Sequence, residues 1–272
     1  MTRFVLSLTF IVLAFAVDAA AQGVASRTAS GSSRSPASIP FGAGETLVFE
    51  GKISKFISIT IGDLRFEVAN GSDADKLNLK IDATSRGTML KLFRYSFEQK
   101  IDTVVDSRGL HAYSSIKHDV QKSKIRDSVT TLDYDRRMVT WVETNGNEPT
   151  QPPRTIASDV SGPTHDIVSA IYLLRTLPLS IGYKTSVDVT DSGLVYKIPV
   201  VVAAREKQKS IFGEVWCYRV EPELFGPNRF FEQKGKMEIW ITDDARRIPV
   251  RARVNAEVGK VDIRLKQALN LK

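Results

Sequence analysis

A single cysteine, Cys217, in a chain of 272 residues excludes an internal disulfide, so any fold must be held by burial. It stands in "GEVWCYRV", where Val215 and Cys217 share one face of a predicted strand. A buried small hydrophobe suits that pattern better than a nucleophile, which would want a histidine nearby. Histidine is scarce too, at three. His111 and His118 fall in one predicted strand at an odd spacing that sends them to opposite faces. His165 stands beside Asp166 at the start of a predicted helix, in the place of a surface or capping residue. The sequence has no HExxH, CxxC, GxSxG or glycine-rich phosphate loop. No catalytic residue, metal ligand or cofactor is therefore assigned. An envelope hydrolase stays open as an alternative, because two facing carboxylates have no fixed sequence spacing.

Long apolar runs are also missing, with one exception. "FVLSLTFIVLAFAV" (4–17) is shorter than the ~20 residues of a membrane-spanning helix. Arg3 precedes it and Ala19-x-Ala21 follows, which predicts a signal peptide over 1–21 cleaved after Ala21. No cysteine follows the run, so a lipid anchor is not expected. The mature chain is then periplasmic or secreted, with no membrane span after cleavage. Lys and Arg total 38 against 31 Asp and Glu, a net charge of +7 and a pI near 9.4. That excess favours anionic surroundings. Export, and the lack of an aromatic-basic RNA motif or helix-turn-helix pattern, argue against nucleic acid.

What the sequence does contain is alternation. Residues 22–40, rich in Ser, Gly and Pro, read as a flexible leader. From Phe41 onward apolar residues recur at every second position: Leu47, Phe49 and Ile53; Leu77, Leu79, Ile81 and Ala83; Leu194, Tyr196 and Ile198; Ile248, Val250, Ala252 and Val254. Such strands bury one face and wet the other, as antiparallel sheets do. Short turn signals ("VDSRGL", "DYDRRM", "TDSGLV", "TDDARR", "EVGKVD") join them, which predicts an up-and-down meander. In "ISITIGDLRFEV" the apolar parity flips at Gly62–Asp63, by either a bulge or a two-residue hairpin. "GTMLKLFRY" (87–95) reads as a short helix or an apolar loop.

"HDIVSAIYLLRTLPL" predicts a helix over 165–177, capped by Asp166 and stopped by Pro178, with Ile167, Ile171 and Leu174 on one face. Leu173, Leu177 and Val168 widen its apolar side. A loop over 144–164, with four prolines and no periodicity, divides 41–143 from 165–272. The expectation is a mainly β protein, 41–272 being a single domain in two halves. Its core would be one long curved antiparallel sheet (meander, half-barrel or barrel-like), with one main helix packed against it.

Charged clusters invite a sharper reading. Asp243–Asp244 in "IWITDDARRIPV" interrupts the alternation between Ile241 and Ile248, so it belongs to a hairpin turn, where Asp caps backbone groups. Arg251, Arg253, Arg264 and Lys266 form a basic stripe, read either as a solvated face balanced by Glu257 and Asp262 or as an anion-contacting surface. Arg175, on an otherwise apolar helix, is expected to snorkel at the helix end or pair with a sheet carboxylate. Trp216 and Trp240 lie on strands, with a packed core as the default for both.

"GETLVFEG", "HDIVSAIYLLRTLPL" with Asp166, Ser169, Tyr172 and Arg175, and "KGKMEIWITDDARRIPVR" together resemble a bacterial exported family catalogued as domain of unknown function 3108. The resemblance runs from about Phe41 to Leu269. Relatives tend to carry Asp-Pro at the helix start, where this chain has Asp166–Ile167. The resemblance implies an exported antiparallel β protein of Gram-negative envelopes and carries over no catalytic residue. The expected function is that of a non-enzymatic envelope protein binding a lipid or anionic envelope component within, or at the rim of, a curved sheet. The alternative partner is another envelope protein, met along a sheet edge.

Overall fold

The computed structural model describes residues 39–54, 58–86, 96–226, 229–256 and 259–272. The expected signal peptide, the expected leader up to residue 38, the segment 87–95 and residues 257–258 of the expected "EVGKVD" turn lie outside them. Eight strands come first: β1 (Thr46–Ser54), β2 (Ser58–Asn70), β3 (Lys76–Ser85), β4 (Phe97–Asp106), β5 (Ala112–Gln121), β6 (Lys124–Asp133), β7 (Met138–Asn145) and β8 (Arg154–Asp159). Among the described residues one helix, α1 (Ile167–Leu174), follows. Six strands close the chain: β9 (Lys184–Asp191), β10 (Leu194–Ser210), β11 (Gly213–Pro222), β12 (Gly235–Thr242), β13 (Pro249–Ala256) and β14 (Gly259–Leu269).

All fourteen strands form one antiparallel sheet in the order β8-β7-β6-β5-β4-β3-β2-β1-β14-β13-β12-β11-β10-β9. It is the expected meander, run twice. The two runs are welded by the pairing of the first strand with the last, Thr46 opposite Leu269 through Ser54 opposite Lys260. The edge strands β8 and β9 are neighbours in sequence, joined through α1. The sheet curls so far that the β9–β10 turn reaches β8: a Cβ on Gly193 would stand 2.7 Å from the Ile156 carbonyl oxygen. Gly193, at φ +80, is therefore needed both for its left-handed conformation and for the close approach. The free side of β9 is covered by the chain leading into α1, with His165 N–H donating to Asp188 O at 2.9 Å and Thr190 N–H to His165 O at 2.7 Å. Covering an edge in this way removes a template for mispairing.

The parity flip in β2 is a bulge. Gly51 pairs with Gly62 and Lys52 with Thr60, leaving Ile61 as the extra residue. A Cβ on Gly62 would lie 2.2 Å from the Thr84 carbonyl oxygen, which is why glycine occupies this point. Without the bulge, Leu64, Phe66 and Val68 would face the wrong side of the sheet.

Helix α1 sits over β3, β4 and β9 and is shorter than the pattern predicts. Its buried residues are Val168, Ser169, Tyr172 and Leu174, with Arg175 just beyond, whereas Ile167 and Ile171 are half-buried. The expected Ile167–Ile171–Leu174 face is therefore rotated, and polar groups point inward. Tyr172 is the anchor, its ring edge-on to Phe41 at 4.9 Å and to Phe66 at 6.4 Å. Burying such a side chain stabilises by about 1.5–3 kcal/mol. The segment expected as a loop over 144–164 contains β8. Its pattern fails because an edge strand leaves most side chains exposed, so no apolar alternation marks it.

One part of the sheet leaves the common surface. The β10 ladder with β9 ends at Val201 opposite Lys184, and that of β11 with β12 begins at Cys217 opposite Thr242. Beyond those points Lys207–Ser210 and Gly213–Trp216 pair as a two-stranded arm.

Candidate ligand pocket at the rim of the sheet

Two turns and one connecting segment meet at the α1 end of the sheet. In the β4–β5 turn, the Asp106 carboxylate accepts from the N–H of Arg108 at 3.0 Å and from that of Gly109. This brings Leu110 into the left-handed region (φ +58), fully buried, and presents His111. In the β6–β7 turn, Asp133 accepts from Arg136 N–H at 2.8 Å, and Arg137 takes φ +54. The segment after β8 is tied to both turns, Val160 N–H donating to Arg137 O at 3.0 Å and Ala112 N–H to Thr164 O at 2.9 Å.

Tyr134 joins the three pieces. Its hydroxyl lies 2.7 Å from Ala112 O and 3.1 Å from Thr164 O, and burial pushes the phenol up to about 12, so it stays a donor. The His111 ring is edge-on to Tyr134 at 5.1 Å and to Tyr113 at 5.2 Å. Beneath lies an apolar floor of Ala112, Leu132, Val139 and Val160. The result is a pocket of about 270 Å³ lined by His111, Tyr134, Arg137 and residues 160–163. Arg137 is exposed, and among the described residues it makes no ion pair, unlike its neighbour Arg136, which faces Asp133. His111 Nδ1 is 4.0 Å from Asp106 Oδ1. A free guanidinium, an imidazole and aromatic and apolar walls suit an acid group attached to a short apolar segment. In the sequence "DYDRRM" reads as a turn and nothing singles out Arg137. Only the convergence of two turns, not local spacing, brings Arg137 and His111 to one pocket.

The other singled-out residues fall elsewhere. His165 is 5 % exposed, not at the surface. Its Nδ1 lies 2.9 Å from the Leu110 carbonyl oxygen, which assigns the proton to that nitrogen, and burial lowers its pKa. His111 precedes β5 instead of lying within it. His118, on the outer side, pairs with Asp127 at 2.6 Å. Asp166 caps α1 and forms a capping box with Ser169. Its second oxygen accepts from Thr103 at 2.5 Å and Ser115 at 3.2 Å, which locks the helix start to β4 and β5.

Arg175 does pair with a carboxylate. It makes a two-pronged bond to Glu45, with Nη1 to Oε1 at 2.5 Å and Nη2 to Oε2 at 2.9 Å, both side chains 1 % exposed. It also donates to the carbonyls of Arg246 and Arg247. Asp244 caps its turn, accepting from Arg246 N–H at 3.0 Å and Arg247 N–H at 3.2 Å. Asp243 reaches Arg205 at 2.6 Å. Cys217 is fully buried, and burial pushes its thiol up to about 12.

The basic stripe is balanced. Arg251 and Arg264 share Asp262, at 2.6 and 2.7 Å, Arg253 faces Glu238 at 3.8 Å, and Lys266 faces Glu50 at 3.1 Å. Burial raises the Asp262 pKa, but its bonds to the two arginines outweigh that and hold it low. Trp240 is buried, with guanidinium groups of Arg251 and Arg253 each 5.1 Å from its ring. Trp216 is not core: it is 45 % exposed, with Arg205 over its ring at 4.4 Å.

An open meander sheet curled until its edges approach defines a class of barrel-like β proteins. A protein of domain of unknown function DUF1849 from Brucella abortus, itself described as β-barrel-like, shares this fold at a TM-score of 0.58 and 12 % identity, over 85 % of this chain and 99 % of that one. A protein from Bacteroides fragilis, provisionally described as exported with a YmcC-like fold, aligns over 85 % of this chain and 97 % of its own at 10 % identity, with a TM-score of only 0.32. The family described as protein of unknown function (DUF3108) matches residues 50–266, and the chain belongs to it. Among curated proteins none matches the chain.

Proposed function

We propose that this protein is exported to the cell envelope and there binds an acidic amphiphile, without catalysing a reaction on it. The observation that carries this reading is Arg137, without an ion pair among the described residues, beside the apolar wall of Val160 and Pro163 in the rim pocket. At about 270 Å³ the pocket takes an acid headgroup and the first few carbons, while any longer chain would run along the surface. A charge-assisted bond from Arg137 would fix the headgroup, and apolar contact would select against fully hydrated anions.

The test is mass spectrometry of lipids and small acids that co-purify with the protein from the envelope fraction, run beside two variants. Arg137→Glu reverses the charge at an exposed position. Gly162→Trp fills the pocket from a position where an added Cβ meets nothing within 4 Å. The expected result is a bound acidic amphiphile that both variants lose while keeping the wild-type melting temperature. No co-purifying amphiphile, or one retained by both variants, sinks the reading.

A further inference from the structure

We infer that the β10–β11 arm is a contact with a bilayer surface, distinct from the rim pocket. Its two faces differ. The inner face is fastened to the sheet: Glu206 accepts from the Trp240 indole N–H, and Gln208 accepts from Arg251 Nη1 at 3.1 Å. The outer face and tip carry the large apolar side chains Ile211, 44 % exposed, and Trp216, 45 % exposed, with Phe212 half-buried between them. Among the described residues Ile116, Val129, Ile181 and Leu269 are as exposed, Ile116 and Val129 being cross-strand neighbours. What sets the arm apart is that its apolar pair stands at a projecting tip among cationic side chains.

Cations frame these side chains. Arg205 and Lys207 lie over the Trp216 ring at 4.4 and 5.6 Å, and Arg246 lies over Phe212 at 4.6 Å. Each also has a carboxylate partner, Asp243, Glu214 and Asp244 respectively. Lys209, on the same side of β10 as Lys207, has none among the described residues. The order along the arm is thus an aliphatic and aromatic tip, then a tryptophan flanked by ammonium and guanidinium groups. That is the order of a bilayer interface: acyl chains, the headgroup level that tryptophan prefers, then phosphates.

Size decides between a membrane and a protein partner. Ile211 and Trp216 together expose on the order of 200 Å², about half of the roughly 450 Å² of apolar surface that a stable protein interface buries per partner. Interfacial insertion has no such threshold, because its strength scales with the apolar area buried and with attraction to anionic lipid. The net charge of +7 adds to that attraction.

The experiment uses the chain from Gln22 onward, since every strand and α1 lie beyond that point. It is mixed with vesicles of phosphatidylcholine alone or with added phosphatidylglycerol, and binding is read by flotation. Tryptophan emission gives a second signal specific to the arm, because Trp141 and Trp240 are already buried. The expected result is binding to the phosphatidylglycerol vesicles with a blue shift, weakened by salt. Ile211→Glu and Trp216→Ala should each lower the partition coefficient by about tenfold, with unchanged melting. Absence of vesicle binding by the wild type, or variants that bind equally well, overturns the inference. So does a dimer in sedimentation that Ile211→Glu dissociates, which would assign the patch to a second copy of the chain. Arg137→Glu should leave vesicle binding intact, so failure of this inference and failure of the pocket reading are separable.

Discussion

Arg175 and Arg264 each bond a carboxylate at hydrogen-bond distance, yet their surroundings are opposite. Arg175 and Glu45 are sealed behind α1 at 1 % exposure each, and the guanidinium is completed by two backbone carbonyls. Arg264 lies on the outer face at 47 % exposure and shares Asp262 with Arg251. The lesson concerns what a missing partner leaves behind. A solvated carboxylate recovers water when its arginine is removed, whereas a sealed one keeps its charge with nothing to balance it. The helix seat is therefore all-or-none, and the outer stripe is graded.

The largest expected effect follows directly. Arg175→Ala strands Glu45 and should lower stability by roughly 3–5 kcal/mol in urea unfolding. Replacing both partners with apolar residues should recover part of that loss, because no buried charge is then left alone. A cost for Arg175→Ala no greater than that for Arg264→Ala would break the comparison.

Packing at the same seat sharpens it. Leu174 is 5 % exposed, and Leu174→Ala should cost roughly 2–5 kcal/mol. Ile171, half-buried, should cost clearly less when cut to Ala, although the sequence puts both on one apolar face. Equal losses in thermal melts would restore the face read from the sequence.

That pair shows where the sequence is legible and where it is not. Alternation in β1, β3, β10 and β13 is visible because each has one wet face, so side-chain polarity records the pleat. The bulge at Ile61–Gly62 is visible for the same reason, as a change of parity. β8 is invisible, since an edge strand with most side chains exposed leaves no apolar period. The helix is visible as an element but not in its rotation. Its buried face carries Ser169 and Arg175, which become acceptable inside only because Asp166, at the helix cap, meets the first and Glu45, far away along the chain, meets the second. The candidate pocket is the least legible part. Arg137 gains its meaning from His111 and from the segment at 160–163, and no local pattern records such a meeting.

A pH series probes the seat more gently. Burial lowers the His165 pKa below its usual 6.5, so the unfolded chain takes up the proton first as pH falls. The contribution of neutral His165 is fully present above about 6.5 and is lost as pH falls toward the lower folded value. The slope should be at most about 1.4 kcal/mol per pH unit. Asp191 acts in the opposite sense. Burial is the main cause of its rise from 3.8 to about 6, so between those values its contribution falls as pH rises. His165→Gln should therefore flatten the acid-side loss between pH 6.5 and 5.5, and Asp191→Asn should raise stability at pH 7. Identical urea midpoints for wild type and His165→Gln across that range would remove His165 from the account.

The smallest effect belongs to the outer stripe. Arg264 shares Asp262 with Arg251, which is more buried at 15 % exposure and keeps its own bond at 2.6 Å. When Arg264 becomes Ala, Asp262 thus retains one guanidinium and regains solvent on the other side. The expected loss is about 0.5 kcal/mol. It should shrink further as salt rises, because the lost attraction acts between groups that water and ions already reach. The cost of Arg175→Ala should hardly respond to salt, since ions do not reach a seat that admits no water. Urea midpoints of both variants at low and high ionic strength check the contrast in one series. A salt-independent loss of 2 kcal/mol or more for Arg264→Ala would mean that the stripe, not only the helix seat, holds the two runs of strands together where β14 meets β1.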